Sequence, residues 1–242
     1  MKGFVIDEAP KFGIEINPNC QVELIKFGKE NNLLLIIDDL LCDPELFVSY
    51  YAADKEFSTA EKSGNFYPGI RTPAPNFYID SVFKLLSPMI SRYFNLPGAY
   101  PNWISSDFSL LTLPPERLNT KQSIPHFDVL GPRQLAVLHY LCDEKQGGTS
   151  FYRHKQTDFE VINKERFEQY RNQIRAELTE YKPTGYVSSS TNYFEKIFTV
   201  PAKYNRLVVY QSQVLHSVQF DSPSLLNDVI NGRLTVNTFI NY

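Results

Sequence analysis

From Pro101 to the C-terminus the sequence breaks into short apolar or alternating runs, "DFSLLTL", "RQLAVLHYL", "FEKIFTV", "NRLVVYQ", "LHSVQF" and "RLTVNTFI", divided by Pro, Gly and Asn. Runs this short, rich in β-branched and aromatic residues and closed by turn formers, make strands, and a close series of them buries its apolar faces by wrapping into a barrel or two facing sheets. The expected fold class is mainly β with flanking helices, built on a jelly roll or double-stranded β-helix. One segment departs from the pattern. "NKERFEQYRNQIRAELTEY", Asn163 to Tyr181, is rich in helix formers and carries Phe167, Tyr170, Ile174 and Leu178 on one face, so a helical insertion over 158–182 interrupts the strands.

Upstream, "NNLLLIIDDLLCDPELFVSYYA" reads as a buried strand followed by a helix with Asp43 as N-cap and Pro44 in the first helical position. From Asp80 to Leu96, Val82, Leu85, Leu86, Met89, Ile90 and Tyr93 recur with the period of an amphipathic helix, which Pro88 is expected to bend. Between them, Pro68, Pro73 and Pro75 in "EKSGNFYPGIRTPAPNFYI" predict an ordered rim loop without regular structure. With no repeat, low-complexity tract or linker, 1–242 is expected to be a single domain: a strand/helix support region over 1–100 and a core over 101–242.

A length of 242 residues with 43% hydrophobic content suffices for a full core. The net charge is −3 with no basic block, which argues against a nucleic-acid partner, and no apolar run approaches the roughly 20 residues of a membrane span. "MKGFVIDEAPKFGIEI" is broken by Asp7, Glu8 and Pro10 before an apolar leader can form, so the expected location is the cytoplasm. Cys20, Cys42 and Cys142 are odd in number and widely spaced, the pattern of ordinary buried thiols rather than of a disulfide framework or a zinc site.

The chain has four histidines, and one stands in "PHFD". In an extended segment His126 and Asp128 point the same way, with Phe127 opposite. Two imidazoles and one carboxylate on one face hold a six-coordinate Fe(II) with three positions open. His216, ending the β-prone run "RLVVYQSQVLHSV", is the candidate second imidazole. In the terminal strand Leu234, Val236 and Ile240 form one face and Arg233, Thr235 and Asn237 the other. An inward Arg233 matches a carboxylate bidentately and Thr235 donates from the same side, with Arg206 as the competing anchor. Ser217 next to His216 makes no hydrolase site, since strand neighbours face opposite sides and no GxSxG elbow exists, and "GGTSF" lacks the glycine spacing of a nucleotide loop.

Taken in order, "HFD", "RQLAVLHYLCDEKQGGTSFY", "RLVVYQSQVLHSV" and "GRLT" resemble the motifs of the Fe(II)- and 2-oxoglutarate-dependent oxygenases, particularly the prolyl-hydroxylase-like branch, over about Asp107 to Tyr242. "IIDDLLCDPELFVSYYA" looks like the strand and helix that precede the barrel there, and the whole is similar to an uncharacterised bacterial group among them. Arg233 follows His216 by more residues than in many relatives, and Cys142 stands where Asn is common. The resemblance implies Fe(II) on His126, Asp128 and His216, and 2-oxoglutarate as cosubstrate anchored by Arg233 and Thr235. The implied reaction is hydroxylation of a small molecule or a protein side chain, with release of succinate and CO2. Tyr140 lines the cosubstrate pocket by the same resemblance, or is core. His139 reads as a hydrogen-bonded core or pocket histidine, His154 as facing substrate or solvent, and Arg71 as a solvated loop residue or a contact for an anionic substrate. The rival from another class is a non-catalytic jelly roll binding a small acid or peptide. No motif specifies an oligomeric state.

Overall fold

The computed structural model describes residues 13–53, 55–59, 66–96, 100–220 and 225–242, so the expectation about an N-terminal leader concerns residues that lie mostly outside it. In chain order the elements are β1 (Gln21–Phe27), β2 (Asn32–Asp38), α1 (Pro44–Tyr51), β3 (Ser58–Thr59), β4 (Gly69–Pro73), α2 (Asn76–Tyr93), β5 (Trp103–Leu111), β6 (Gln134–Tyr140), β7 (Gly148–His154), α3 (Lys164–Glu180), β8 (Phe194–Pro201), β9 (Arg206–Gln211), β10 (His216–Gln219) and β11 (Leu234–Asn241). All pairings are antiparallel. Eight strands form one sheet in the order β1-β2-β9-β6-β11-β5-β4-β3, and three form a second in the order β10-β7-β8.

Strand alternation gives each sheet two faces. One face of the large sheet, with Leu35, Ile37, Val137, Val209, Leu234, Val236 and Ile240, packs on Phe47 and Val48 of α1 and Tyr78, Val82, Leu86 and Ile90 of α2. The other, with Leu34, Ile36, Ala136, Tyr140, Val208 and Tyr210, meets Phe151 and Val200 of the small sheet. Beyond the small sheet, Tyr170 and Ile174 of α3 cover Tyr152, Phe194 and Leu215. Two antiparallel sheets facing one another across an apolar layer, with helices outside, are the jelly-roll core the strand series predicts.

The structure departs from the sequence expectation in three places. The stretch around Arg71 is not irregular: Gly69–Pro73 is a strand paired with β5, because Pro68 and Pro75 flank it and Pro73 is its last residue. Helix α2 starts at Asn76, earlier than its periodicity indicates, and continues through Pro88 to Tyr93, held by the buried Val82, Leu86 and Ile90. Cys42 is exposed rather than buried. β1 and β2, from the support region, pair onto β9 and extend the large sheet at one end. None of the described helices is long and apolar enough to cross a membrane.

The β1–β2 turn is anchored by one buried carboxylate. Glu160 accepts from the backbone N–H groups of Lys29 (2.9 Å) and Glu30 (3.0 Å), from Asn32 Nδ2 (2.8 Å) and from Arg153 Nε (2.9 Å) and Nη2 (2.6 Å). Gly28 sits in the left-handed region, φ 71°, and a Cβ there would collide with the Glu160 carboxylate. Gly28→Ala therefore combines backbone strain with displacement of a buried charge, and is expected to destabilise the fold by about 2–4 kcal/mol. A urea midpoint within experimental error of the wild type would contradict this.

His139 of β6 is fully buried, with Nδ1 3.1 Å from Tyr78 Oη and Nε2 3.2 Å from Asn205 Oδ1. It is the core histidine that its apolar run suggests. Burial pushes it down to about 4, against a smaller upward pull from Asn205. The unfolded chain, near 6.5, therefore binds a proton that the native chain refuses, so stability is full above that value and falls as pH drops toward 4. Between pH 7 and pH 5 the loss from His139 is expected to be about 2 kcal/mol by linkage. Urea denaturation of the wild type and of His139→Gln at the two values separates it from the other buried histidines, and an equal pH dependence in the two proteins would contradict the assignment.

Candidate metal centre

His126 and His216 face each other across an isolated antiparallel bridge, each backbone N–H donating to the other's carbonyl at 2.8 Å. Directly paired residues of such a bridge send their side chains to one face. The Asp128 N–H donates to the Ser212 carbonyl at 2.8 Å, which keeps the segment extended and returns Asp128 to the same side. Phe127, of opposite parity, packs in the layer under α3, 6.2 Å from the Phe167 ring and 6.1 Å from that of Tyr170. Glu160 has a share in this geometry too, because its carbonyl accepts from the Leu215 N–H at 2.8 Å, next to His216.

The three side chains converge. Asp128 Oδ1 lies 3.9 Å from His126 Nε2 and 3.9 Å from His216 Nε2, and the candidate ligand atoms all fall within 4.8 Å of one another. Donors about 2.1 Å from one ion and at right angles to each other would stand about 3 Å apart. The set closes on an ion by side-chain shifts of under about an ångström, which the half-exposed ring of His126 (49%) allows.

The electrostatics also suit a cation. His216 Nδ1–H donates to the Val214 carbonyl at 2.8 Å, which leaves the Nε2 lone pair for a ligand. Burial pushes His216 down to about 4, keeping it neutral. Burial and the adjacent His216 push His126 the same way, although solvent at its open edge moderates the shift. Asp128 is raised by burial and pulled back by His126 and Ser212, and its Oδ2 is buried without a protein partner. A desolvated carboxylate oxygen with no donor costs about 1–3 kcal/mol, which an ion there would offset.

Arg233 stands just before β11 with 1% of its surface exposed. Its Nε donates to the Gln146 carbonyl at 3.1 Å and its Nη2 to the Gly148 carbonyl at 2.9 Å, and the guanidinium lies 5.9 Å over the Tyr140 ring. Gly147, φ 88°, supplies the turn that brings these carbonyls in. Among the described residues no carboxylate pairs with Arg233, whereas Arg206 is paired with Asp38 through Nε (2.6 Å) and Nη2 (2.9 Å). Thr235 is buried and gives its O–H to Asn237 Oδ1 at 2.7 Å. Tyr140 Oη is 2.6 Å from Thr149 Oγ1. His154 faces neither substrate nor solvent: it is sealed beneath α3, with Nε2 2.9 Å from Glu177 Oε2 and Nδ1 2.9 Å from Thr157 Oγ1. Sequence reasoning missed Tyr67, whose hydroxyl feels the charges of both Arg233 and Arg71. Its only signal was the aromatic content of a loop.

Residues 18–240 match the protein family DUF6445, described as a family of unknown function. The chain belongs to that family. No curated protein matches the sequence. Among solved structures, HygX from Streptomyces hygroscopicus with nickel and 2-oxoglutarate bound superposes with a TM-score of 0.52 at 14% identity, covering 86% of this chain and 82% of that one. Lower similarity is found to an N-substituted L-amino acid dioxygenase from Burkholderia ambifaria AMMD in complex with alpha-KG (TM-score 0.45, 11% identity, 91% and 94% covered). It is also found to SnoN, a non-heme alpha-ketoglutarate-dependent epimerase from nogalamycin biosynthesis (TM-score 0.43, 11% identity, 86% and 78% covered). The superposition on HygX shows that this DUF6445 chain has that fold; what these proteins bind is a property of theirs.

Proposed function

We propose that the protein is an Fe(II)- and 2-oxoglutarate-dependent dioxygenase of the prolyl-hydroxylase-like kind, which hydroxylates its substrate and releases succinate and CO2. The observation that carries this reading is the convergence of two neutral imidazoles and a buried carboxylate with an unpartnered oxygen on one face of the barrel interior. In it, His126, Asp128 and His216 hold Fe(II), which when bound supplies dioxygen activation coupled to oxidative decarboxylation of 2-oxoglutarate. The chain's own part is positional. The His216–Val214 bond fixes the imidazole tautomer, and the backbone bridge fixes the spacing of the two histidines.

Arg233 supports the cosubstrate assignment because a buried guanidinium whose hydrogen-bond partners among the described residues are carbonyls is incompletely neutralised, and a carboxylate is the group it matches. Arg206 is the weaker candidate, its fork being occupied by Asp38. Thr235 assists by turning its O–H from Asn237 to the same carboxylate. That HygX shares the fold and was solved with nickel and 2-oxoglutarate bound agrees with this assignment.

Anaerobic titration tests the reading. Fe(II) and 2-oxoglutarate added together should give the weak visible charge-transfer band of such a chelate, absent with either alone. Tight Fe(II) binding with no band on adding 2-oxoglutarate would overturn the cosubstrate assignment, and no Fe(II) binding would overturn the whole reading.

A further inference from the structure

The inner face of the large sheet keeps partial exposure at its β11-β5-β4 end. On β11, Leu234, Val236, Thr238 and Ile240 are buried on the helix side, whereas Asn237 and Phe239, which face the small sheet, are partly exposed. The side chains of Arg71 (10%) and Asp107 (25%) on β4 and β5 also keep some exposure. The inner face is therefore partly open at this end of the sheet, where Arg71, Asp107 and Asn237 line it, while its β2-β9-β6 part is packed on the small sheet.

Arg71 Nη2 is 3.1 Å from Asp107 Oδ2 and Arg71 Nε donates to Ser109 Oγ at 2.9 Å, while Asn237 Oδ1 accepts from Thr235. Asn237 stands directly opposite Asp107 in the β11–β5 register, and Arg71 opposite Ser109 in the β4–β5 register. Among the described residues Arg71 Nη1, Asp107 Oδ1 and Asn237 Nδ2 have no partner. The wall thus presents a donor, an acceptor and a second donor, all carried on strands. Contacts and register link it to both parts of the proposed site. The Arg71 guanidinium stands 5.7 Å over the Tyr67 ring, whose hydroxyl feels Arg233. On the other side Asn237 pairs with Leu138 of β6, and two residues along that strand Ala136 pairs with Tyr210, whose ring is 5.0 Å from that of His216.

An Arg–Asp pair inside a protein is commonly only structural. Here each partner keeps unused hydrogen-bonding capacity at a partly open end of the inner face, and the wall carries no net charge. A purely anionic ligand would be repelled by Asp107 and a purely cationic one by Arg71, whereas a group with both charges on neighbouring atoms satisfies all three side chains. Resting on the oxygenase reading, we propose that this wall binds the head of a free α-amino acid substrate, its carboxylate on Arg71 and Asn237 and its ammonium on Asp107. The substrate side chain is left to run along the inner face toward the metal centre.

The test adds free L-amino acids one at a time to the anaerobic Fe(II)–2-oxoglutarate protein, then admits air. At least one should shift the visible band and raise succinate formation about tenfold or more, and acetylating its amine or esterifying its carboxylate should remove most of that response. Asp107→Asn, its fold checked by circular dichroism, should raise KM for the free amino acid about tenfold or more with a smaller change in kcat. Arg71→Lys should retain part of the response that Arg71→Gln loses. A band that forms but is shifted by no free amino acid, or is shifted equally by capped forms or by a neutral polyol, overturns this inference and leaves the oxygenase reading standing. If no band forms at all, both fall.

Discussion

Asp128→Ala is expected to weaken Fe(II) binding by at least about 100-fold while leaving the metal-free fold as stable as the wild type or more stable by about 1 kcal/mol. The two signs have one cause. Asp128 brings a carboxylate into the barrel where one oxygen finds no donor and burial raises its proton affinity, so without an ion the residue is a local penalty on folding. The segment does not depend on the carboxylate, because the backbone of His126 and Asp128 is held by the His216 and Ser212 carbonyls, and Phe127 by the α3 layer. Calorimetric Fe(II) titration with parallel urea denaturation reads both. Retained iron affinity would move the metal elsewhere, and a loss of 2 kcal/mol or more in the metal-free protein would mean that Asp128 is structural.

Arg233→Ala is expected to weaken 2-oxoglutarate binding by about 2–5 kcal/mol with iron binding kept, since the ligand's distal carboxylate would be left desolvated and unpaired. Arg233→Lys should restore only part, because an ammonium presents no planar fork to a carboxylate. Arg206→Ala is the control: it breaks the pair with Asp38, so it should lower the urea midpoint and leave the affinity of the folded protein for 2-oxoglutarate near wild type. The reverse pattern, with affinity lost in Arg206→Ala and unchanged in Arg233→Ala, would exchange their roles.

What could be read from the sequence was what local pattern controls. Strands β6, β9 and β11 lie close to the runs that announced them, because alternation against a core is a property of each run alone. The same parity set His126 and Asp128 together and Phe127 apart, and divided β11 into a face with Leu234 and Val236 and a face with Thr235 and Asn237. Pairing across the fold was not legible. β4 looked irregular because its prolines were visible and its pairing with β5 was not. Arg71 was therefore read as a rim residue with no fixed neighbour, although register puts it beside Ser109 and within reach of Asp107. His154 was misjudged for the same reason, since only the fold brings Glu177 of α3 over it.

The most direct test of the oxygenase reading is release of labelled CO2 from 2-oxoglutarate labelled at C1, with succinate measured in the same reaction. The account predicts CO2 and succinate in equal amounts, dependent on both Fe(II) and dioxygen, and lost in Asp128→Ala. Wild-type protein that binds Fe(II) and 2-oxoglutarate in air yet releases no CO2, with or without any free amino acid, would contradict it.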